Sequence, residues 1–65
     1  MELSGKQKDV LKVLKENGEL ATTKIAFLVS SNLYYIEPIL KDLESKGLII
    51  SNKKDNATYW RIKNA

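Results

Sequence analysis

The spacing of apolar residues changes once along this chain, at Gly47, and that change limits the fold more than any other feature. Before Gly47, apolar side chains recur every three or four positions, as in helices that bury one stripe. Beyond it, Leu48-Ile49-Ile50-Ser51 and Thr58-Tyr59-Trp60-Arg61-Ile62 are β-branched and aromatic runs, as in strands. With 65 residues there is room for one domain, 1–65, with helices first and a hairpin last. A domain of this size buries only about 60% of the surface its unfolded chain exposes. A lone hairpin is unstable in water, so the helices must supply its apolar partner. The expected class is α+β, a three-helix bundle followed by a two-stranded β-hairpin.

Local signals place the helices. Ser4 and Gln7 stand three positions apart, the capping-box spacing, at the start of a stripe made by Val10, Leu11 and Leu14 and widened by Val13. Asn17-Gly18 supplies the left-handed stop, and Lys6, Lys8, Lys12 and Lys15 form a solvated face. Glu19-Leu20-Ala21 is long enough only for an extended connector or a one-bridge strand. Thr22 or Thr23 caps a second helix of about two turns, with Ile25, Leu28 and Val29 inward. Ser30-Ser31-Asn32 ends it and offers a cap to a third helix, with Leu33, Ile36, Ile39, Leu40 and Leu43 inward and Gly47 as its stop. Pro38 conflicts with a start at Leu33, because it lacks the amide that the Tyr34 carbonyl would accept from. The helix is therefore expected to begin nearer Tyr34 or Tyr35, or to kink. In the hairpin, Asn52–Asn56 is the turn, Trp60 and Ile62 face the core, and Tyr59 and Arg61 face the other way.

Composition removes several function classes. The chain has neither cysteine nor histidine, so the commonest metal ligands and the commonest general base are missing, and the eight acids form no ligand-like cluster. No metal, no cofactor and no catalytic residue is expected. The apolar runs are far too short to span a bilayer, and no signal-peptide core is present, so a cytoplasmic protein is expected. Net charge is +3, and its placement is uneven: seven lysines offset seven acids through Ile50. Lys53, Lys54, Arg61 and Lys63 against Asp55 then leave the whole excess in the last fifteen residues. A basic excess confined to one segment points to an anionic partner on that segment.

The order helix, short strand, helix, turn, helix, hairpin resembles the winged helix-turn-helix family. The likeness is carried by Leu3-Ser4, Gln7, Val10-Leu11, Leu14 and Gly18 in the first helix, and by Thr22–Val29 with Ser30–Asn32 in the second helix and turn. It is carried also by Ile36–Ile49, with its closing leucine, glutamate, two residues, glycine, leucine, isoleucine pattern. Within the family the chain looks most like small bacterial and archaeal transcription-regulator domains. The resemblance implies double-stranded DNA as partner, with the third helix in the major groove and the hairpin wing on the backbone. That is sterically sound: a helix about 10–12 Å across fits a groove about 12 Å wide.

Candidate DNA contacts follow, several with a structural alternative. On the third helix Tyr34, Pro38 and Lys41 turn outward and Tyr35 lies to one side; the tyrosines suit phosphates by hydroxyl and thymine methyls by ring. Ser31 and Asn32 precede that helix, Asn32 as a contact or simply as its cap. Lys41 is a phosphate contact or a solvated lysine. Thr23 and Lys24, with Thr22, open the second helix and either hold a phosphate or cap. Lys53 and Lys54 at the hairpin tip and Arg61 on its outer face suit phosphates. Trp60, two residues before Ile62, resembles the wing tryptophan of winged-helix domains that bind Z-form nucleic acid. Those domains carry asparagine and tyrosine where this chain has Glu37 and Lys41, so Trp60 is read as a core anchor.

An alternative function is a winged-helix protein–protein interaction module in a transcription, replication or transport complex. Glu37, Asp42 and the neutral first fifty residues favour it; the basic wing favours DNA. Small ferrous-transport proteins of this fold have metal-associated cysteines that are absent here. Phe27, opposite Ile25, packs under Met1 and Leu3 or meets another chain, and with Tyr59 it offers a protein-contact surface. A homodimer would have to use the first helix or the hairpin edge.

Overall fold

The computed structural model describes residues 5–63. Its elements are α1 (Gly5–Asn17), β1 (Leu20–Ala21), α2 (Thr22–Leu28), α3 (Leu33–Ser45), β2 (Ile49–Lys54) and β3 (Ala57–Ile62). The expected α+β order is present, with one enlargement. Leu20 pairs with Trp60 and Ala21 with Tyr59, so β1 adds to the hairpin and the sheet has three antiparallel strands in the order β1-β3-β2. Placing β3 centrally protects the strand that carries Trp60 from becoming an exposed edge.

Helix ends account for much of the chain path. Gly18, at φ 81°, donates to the Leu14 carbonyl at 2.8 Å and closes α1 with a left-handed residue. At the end of α3 the Gly47 amide reaches Glu44 and the Leu48 amide reaches Leu43, the paired bonds of a Schellman motif with Gly47 at φ 77°. α2 ends in the same way, Ser30 donating to Phe27 and Ser31 to Ala26, but the left-handed position is a serine at φ 56°. Lys6 then donates to the carbonyl of Val29, the C-cap of α2, at 2.9 Å. That lysine is half-buried and engaged, unlike the solvated residue expected from the sequence. Gln7 is buried and bonds Asp42 of α3. The proposed partner of its capping box, Ser4, lies outside the described residues, as do Met1 and Leu3, the expected cover of Phe27.

Two cap expectations need correction. Neither Thr22 nor Thr23 caps α2: the N-cap is Ala21, which makes no side-chain cap bond, and Thr22 is the first helical residue. Its hydroxyl accepts from the Trp60 indole at 2.8 Å and donates to the Thr58 carbonyl at 3.2 Å, tying α2 to the central strand. α3 does begin at Leu33, not nearer Tyr34 or Tyr35, because Asn32 accepts from the Tyr35 amide at 2.9 Å and sets the first turn there. Pro38 thus lies inside the helix. The Tyr34 carbonyl it leaves without an amide belongs to an exposed residue, where water can replace the missing bond.

Val10, Leu14, Ile25, Ala26, Val29, Ile36, Leu40, Leu43, Ile49 and Trp60 form one core drawn from all three helices and both long strands. Each fully buried aliphatic side chain among them contributes about 1.5–3 kcal/mol relative to exposure. Trp60 is 5% exposed, as its reading as an anchor requires. Leu28 and Leu33 are not core residues, although both were expected inward; they are 39% and 44% exposed. α2 is so short that its inward face is filled by Ile25, Ala26 and Val29. Leu33 shares the helical angle of Leu40 but sits about 10 Å further along the axis, beyond the end of the core.

Candidate nucleic-acid interface

α2, the Val29–Asn32 turn and α3 form a helix-turn-helix, and the hairpin stands beside α3. The hairpin turn is shorter than the sequence suggests. Asn52, Lys53 and Lys54 belong to β2, and the turn is only Asp55-Asn56, at φ 47° and 67°. Both central residues of a type I′ turn need positive φ, which Asp and Asn tolerate better than most residues. Pairing of Lys53 with Thr58 and Lys54 with Ala57 follows from that turn.

This register separates the two lysines. Successive strand residues face opposite ways, so Lys53 shares a face with Ser51 and Trp60, while Lys54 shares the other with Asn52, Tyr59 and Arg61. Lys53 lines a groove between the wing and α3, together with Glu37, Lys41 and Glu44 of α3, Thr22 and Thr58. Lys54 instead meets Glu19 at 3.2 Å and lies 5.5 Å from the Tyr59 ring centre. An exposed pair of that kind contributes about 0–1 kcal/mol. The two lysines expected together at the hairpin tip therefore act on different faces, and Arg61 is exposed on the face away from α3.

The groove is electrically balanced and not the uniformly cationic surface that the wing's charge excess suggests. Glu37 and Glu44 share it with Lys41 and Lys53, and Glu44 accepts from the Ser51 hydroxyl at 2.8 Å. Glu44 was missed in the sequence, although it falls seven residues after Glu37 and so on the same helix face. Asp42 lies on the α1 side of α3, where Lys46 at 2.8 Å and Gln7 bond it. The Lys46 ammonium, then the Gln7 amide, hold its carboxyl below the usual value, against a smaller desolvation effect. Its charge is occupied within the fold.

On the outer face of α3, Tyr34 is 92% exposed and Tyr35 62%. Tyr34, Glu37 or Pro38, and Lys41 follow at helical spacing, one long stripe facing away from the core. Tyr34 and Tyr35 also line a shallow depression with Lys6, Pro38 and Ile39, separate from the wing groove. Thr23 and Lys24 are exposed on α2, Lys24 lying 5.7 Å from the ring centre of Phe27, itself 75% exposed. Ser31 is half-buried, and the Asn32 carboxamide oxygen serves as the helix cap. Among the described residues no group of acidic side chains is arranged to hold a metal ion.

The fold and this helix-beside-wing arrangement are those of winged helix-turn-helix DNA-binding domains from transcriptional regulators. A crystal structure of a possible transcriptional regulatory protein from Mycobacterium bovis superposes with a TM-score of 0.88 at 30% identity, over 94% of this chain and 64% of that one. A solution structure from the same organism, a homodimeric winged helix-turn-helix DNA-binding domain of a possible ArsR-family regulator, gives 0.87 at 30% identity over 94% and 56%. Lactococcus lactis ZitR, as its C30S mutant in complex with DNA, gives 0.83 at 25% identity over 94% and 43%. The chain thus spans between 43% and 64% of the length of these structures. No family model and no curated protein sequence matches it.

Proposed function

We propose that this chain binds double-stranded DNA as the reading domain of a transcriptional regulator, with α3 in the major groove and the wing on the flanking backbone. The observation that carries the reading is the outer stripe of α3, which leaves Tyr34, Glu37 and Lys41 free for base edges while Lys53 stands across the groove. Tyrosine rings suit thymine methyls, and carboxylates accept from cytosine N4. The balanced charge of the groove fits base edges, which offer both donors and acceptors. Lys24, Lys53, Lys54 and Arg61 are the phosphate contacts and Lys41 reaches either a base edge or the phosphate beside it, with Thr23, Ser31, Asn32 and Tyr35 as neutral contacts. The role is one of binding without catalysis, in a cytoplasmic setting; no described helix is long and apolar enough to cross a membrane. The homodimeric neighbour supports a second copy on the same DNA.

About four to six phosphate contacts per chain give a salt dependence with a log–log slope of about −0.9 for each. The test is a titration of labelled duplex DNA at two salt concentrations with wild type, Lys53→Ala and Tyr34→Ala. Lys53→Ala should weaken all sequences alike and reduce the slope by about 1, whereas Tyr34→Ala should weaken some sequences more than others. Absence of duplex binding at low salt would refute the proposal. It would favour a protein-interaction module, for which exposed Phe27 and half-buried Tyr59 offer one set of contacts.

A further inference from the structure

A group of four lysines lies away from the wing groove. Lys8, Lys12 and Lys15 recur on α1 at helical spacing and so share one face. The end of β3 brings Lys63 to the same place, and the four border a groove of about 560 Å³ that shares no residue with the one between α3 and the wing. Its floor is apolar, made by Leu11, Leu48 and Ile62, and no carboxylate lines it. Leu48 is 37% exposed, and among the described residues none of the four lysines forms an ion pair. Four cations thus surround an uncovered apolar floor, and the nearest carboxylates on α1, Asp9 and Glu16, stand on its other side, beside Lys12 and outside the groove.

We propose that this groove docks an acidic amphipathic segment of a partner protein, its apolar side chains on Leu11, Leu48 and Ile62 and its carboxylates on the four lysines. Charge complementarity selects that occupant. A second copy of this chain would bring four lysines against four across a two-fold axis, where like charges repel. A nucleic-acid backbone would neutralise the lysines but leave the apolar floor without a partner. An acidic segment with leucine or phenylalanine at helical spacing satisfies both parts of the surface. Because the two grooves have no residue in common, DNA and such a partner can be held at once.

The test uses the whole chain and a fluorescent helical peptide with leucines along one face and glutamates elsewhere, beside a control of equal charge with serines for leucines. The leucine peptide should bind about tenfold more tightly than the control and shift the amide resonances of Lys8, Leu11, Lys12, Leu48 and Lys63. Lys12→Glu with Lys15→Glu should reduce its binding by about tenfold or more, with an unchanged helical spectrum and little change in duplex affinity. Equal binding of the two peptides would overturn the proposal, leaving only charge attraction. So would shifts confined to other residues, or self-association that buries these same amides in the absence of peptide. The amide map is read on the wild-type chain, so the outcome does not depend on whether the charge-reversed variant folds.

Discussion

Replacing Thr22 with valine keeps the shape of the side chain and removes one oxygen atom, and that atom joins α2 to the central strand. In the wild type the hydroxyl accepts from the Trp60 indole at 2.8 Å and donates to the Thr58 carbonyl at 3.2 Å. Trp60 is 5% exposed, so its N–H has little access to replacement water. Leaving a buried donor without a partner costs about 1–3 kcal/mol, and the longer bond to a half-buried carbonyl adds at most about 1 kcal/mol. The expected loss is about 1.5–3 kcal/mol. A domain of this length has a total stability of roughly 3–10 kcal/mol, so the substitution removes a large share of it. The melting temperature should fall by about 6–24 °C, at about 4–8 °C per kcal/mol. Trp60 is the only tryptophan in the chain, so its fluorescence reports the unfolding transition directly. Urea titrations should show a lower midpoint at constant slope, which separates lost stability from a changed unfolded state. Thr22→Ser, which retains the hydroxyl, should recover most of the difference. A Thr22→Val protein within about 0.5 kcal/mol of wild type, the ordinary range for surface substitutions, would refute the claim that this oxygen secures the wing.

Two further outcomes test the local geometry. Ser30 holds a left-handed backbone at φ 56°, where glycine has no steric penalty. Ser30→Gly should therefore raise stability by about 0.5–1 kcal/mol in thermal or urea unfolding. Asp42 has its folded pKa lowered below 3.8 by Lys46 and Gln7, so the unfolded chain binds its proton first as the solution is acidified. The stabilisation is complete above that ordinary carboxylate value and is lost as pH falls through the lower folded one. Asp42→Asn should be less stable than wild type near neutrality, and its stability should depend less on pH below 3.8 in acid-unfolding curves.

How far the chain could be read depended on how far apart the interacting residues are. The helix stripes, the stops at Gly18 and Gly47 and the cap at Asn32 arise among neighbours within about five positions, so they are visible in any short window. That was enough for the helix-turn-helix and hairpin order and for Trp60 in the core. Errors came where a local signal had several outlets: Thr22 looked like a cap because threonine often is one, but its hydroxyl was taken by an indole 38 residues away. Lys53 and Lys54 looked alike because adjacent lysines have the same composition. Their opposite facing follows from strand register, and a shift of one residue would exchange them. Register was set by the two-residue Asp55-Asn56 turn and by β1 joining β3, neither of which composition reveals. The lysine-bordered groove belongs to the same kind, since Lys63 reaches Lys8, Lys12 and Lys15 only after β3 has passed back beside α1. Residues close in sequence meet in any compact chain, and their chemistry alone defines the helices and turns. Which distant charges and hydroxyls share a surface is settled when the sheet closes on the helices, and that choice places the contacts on which binding rests.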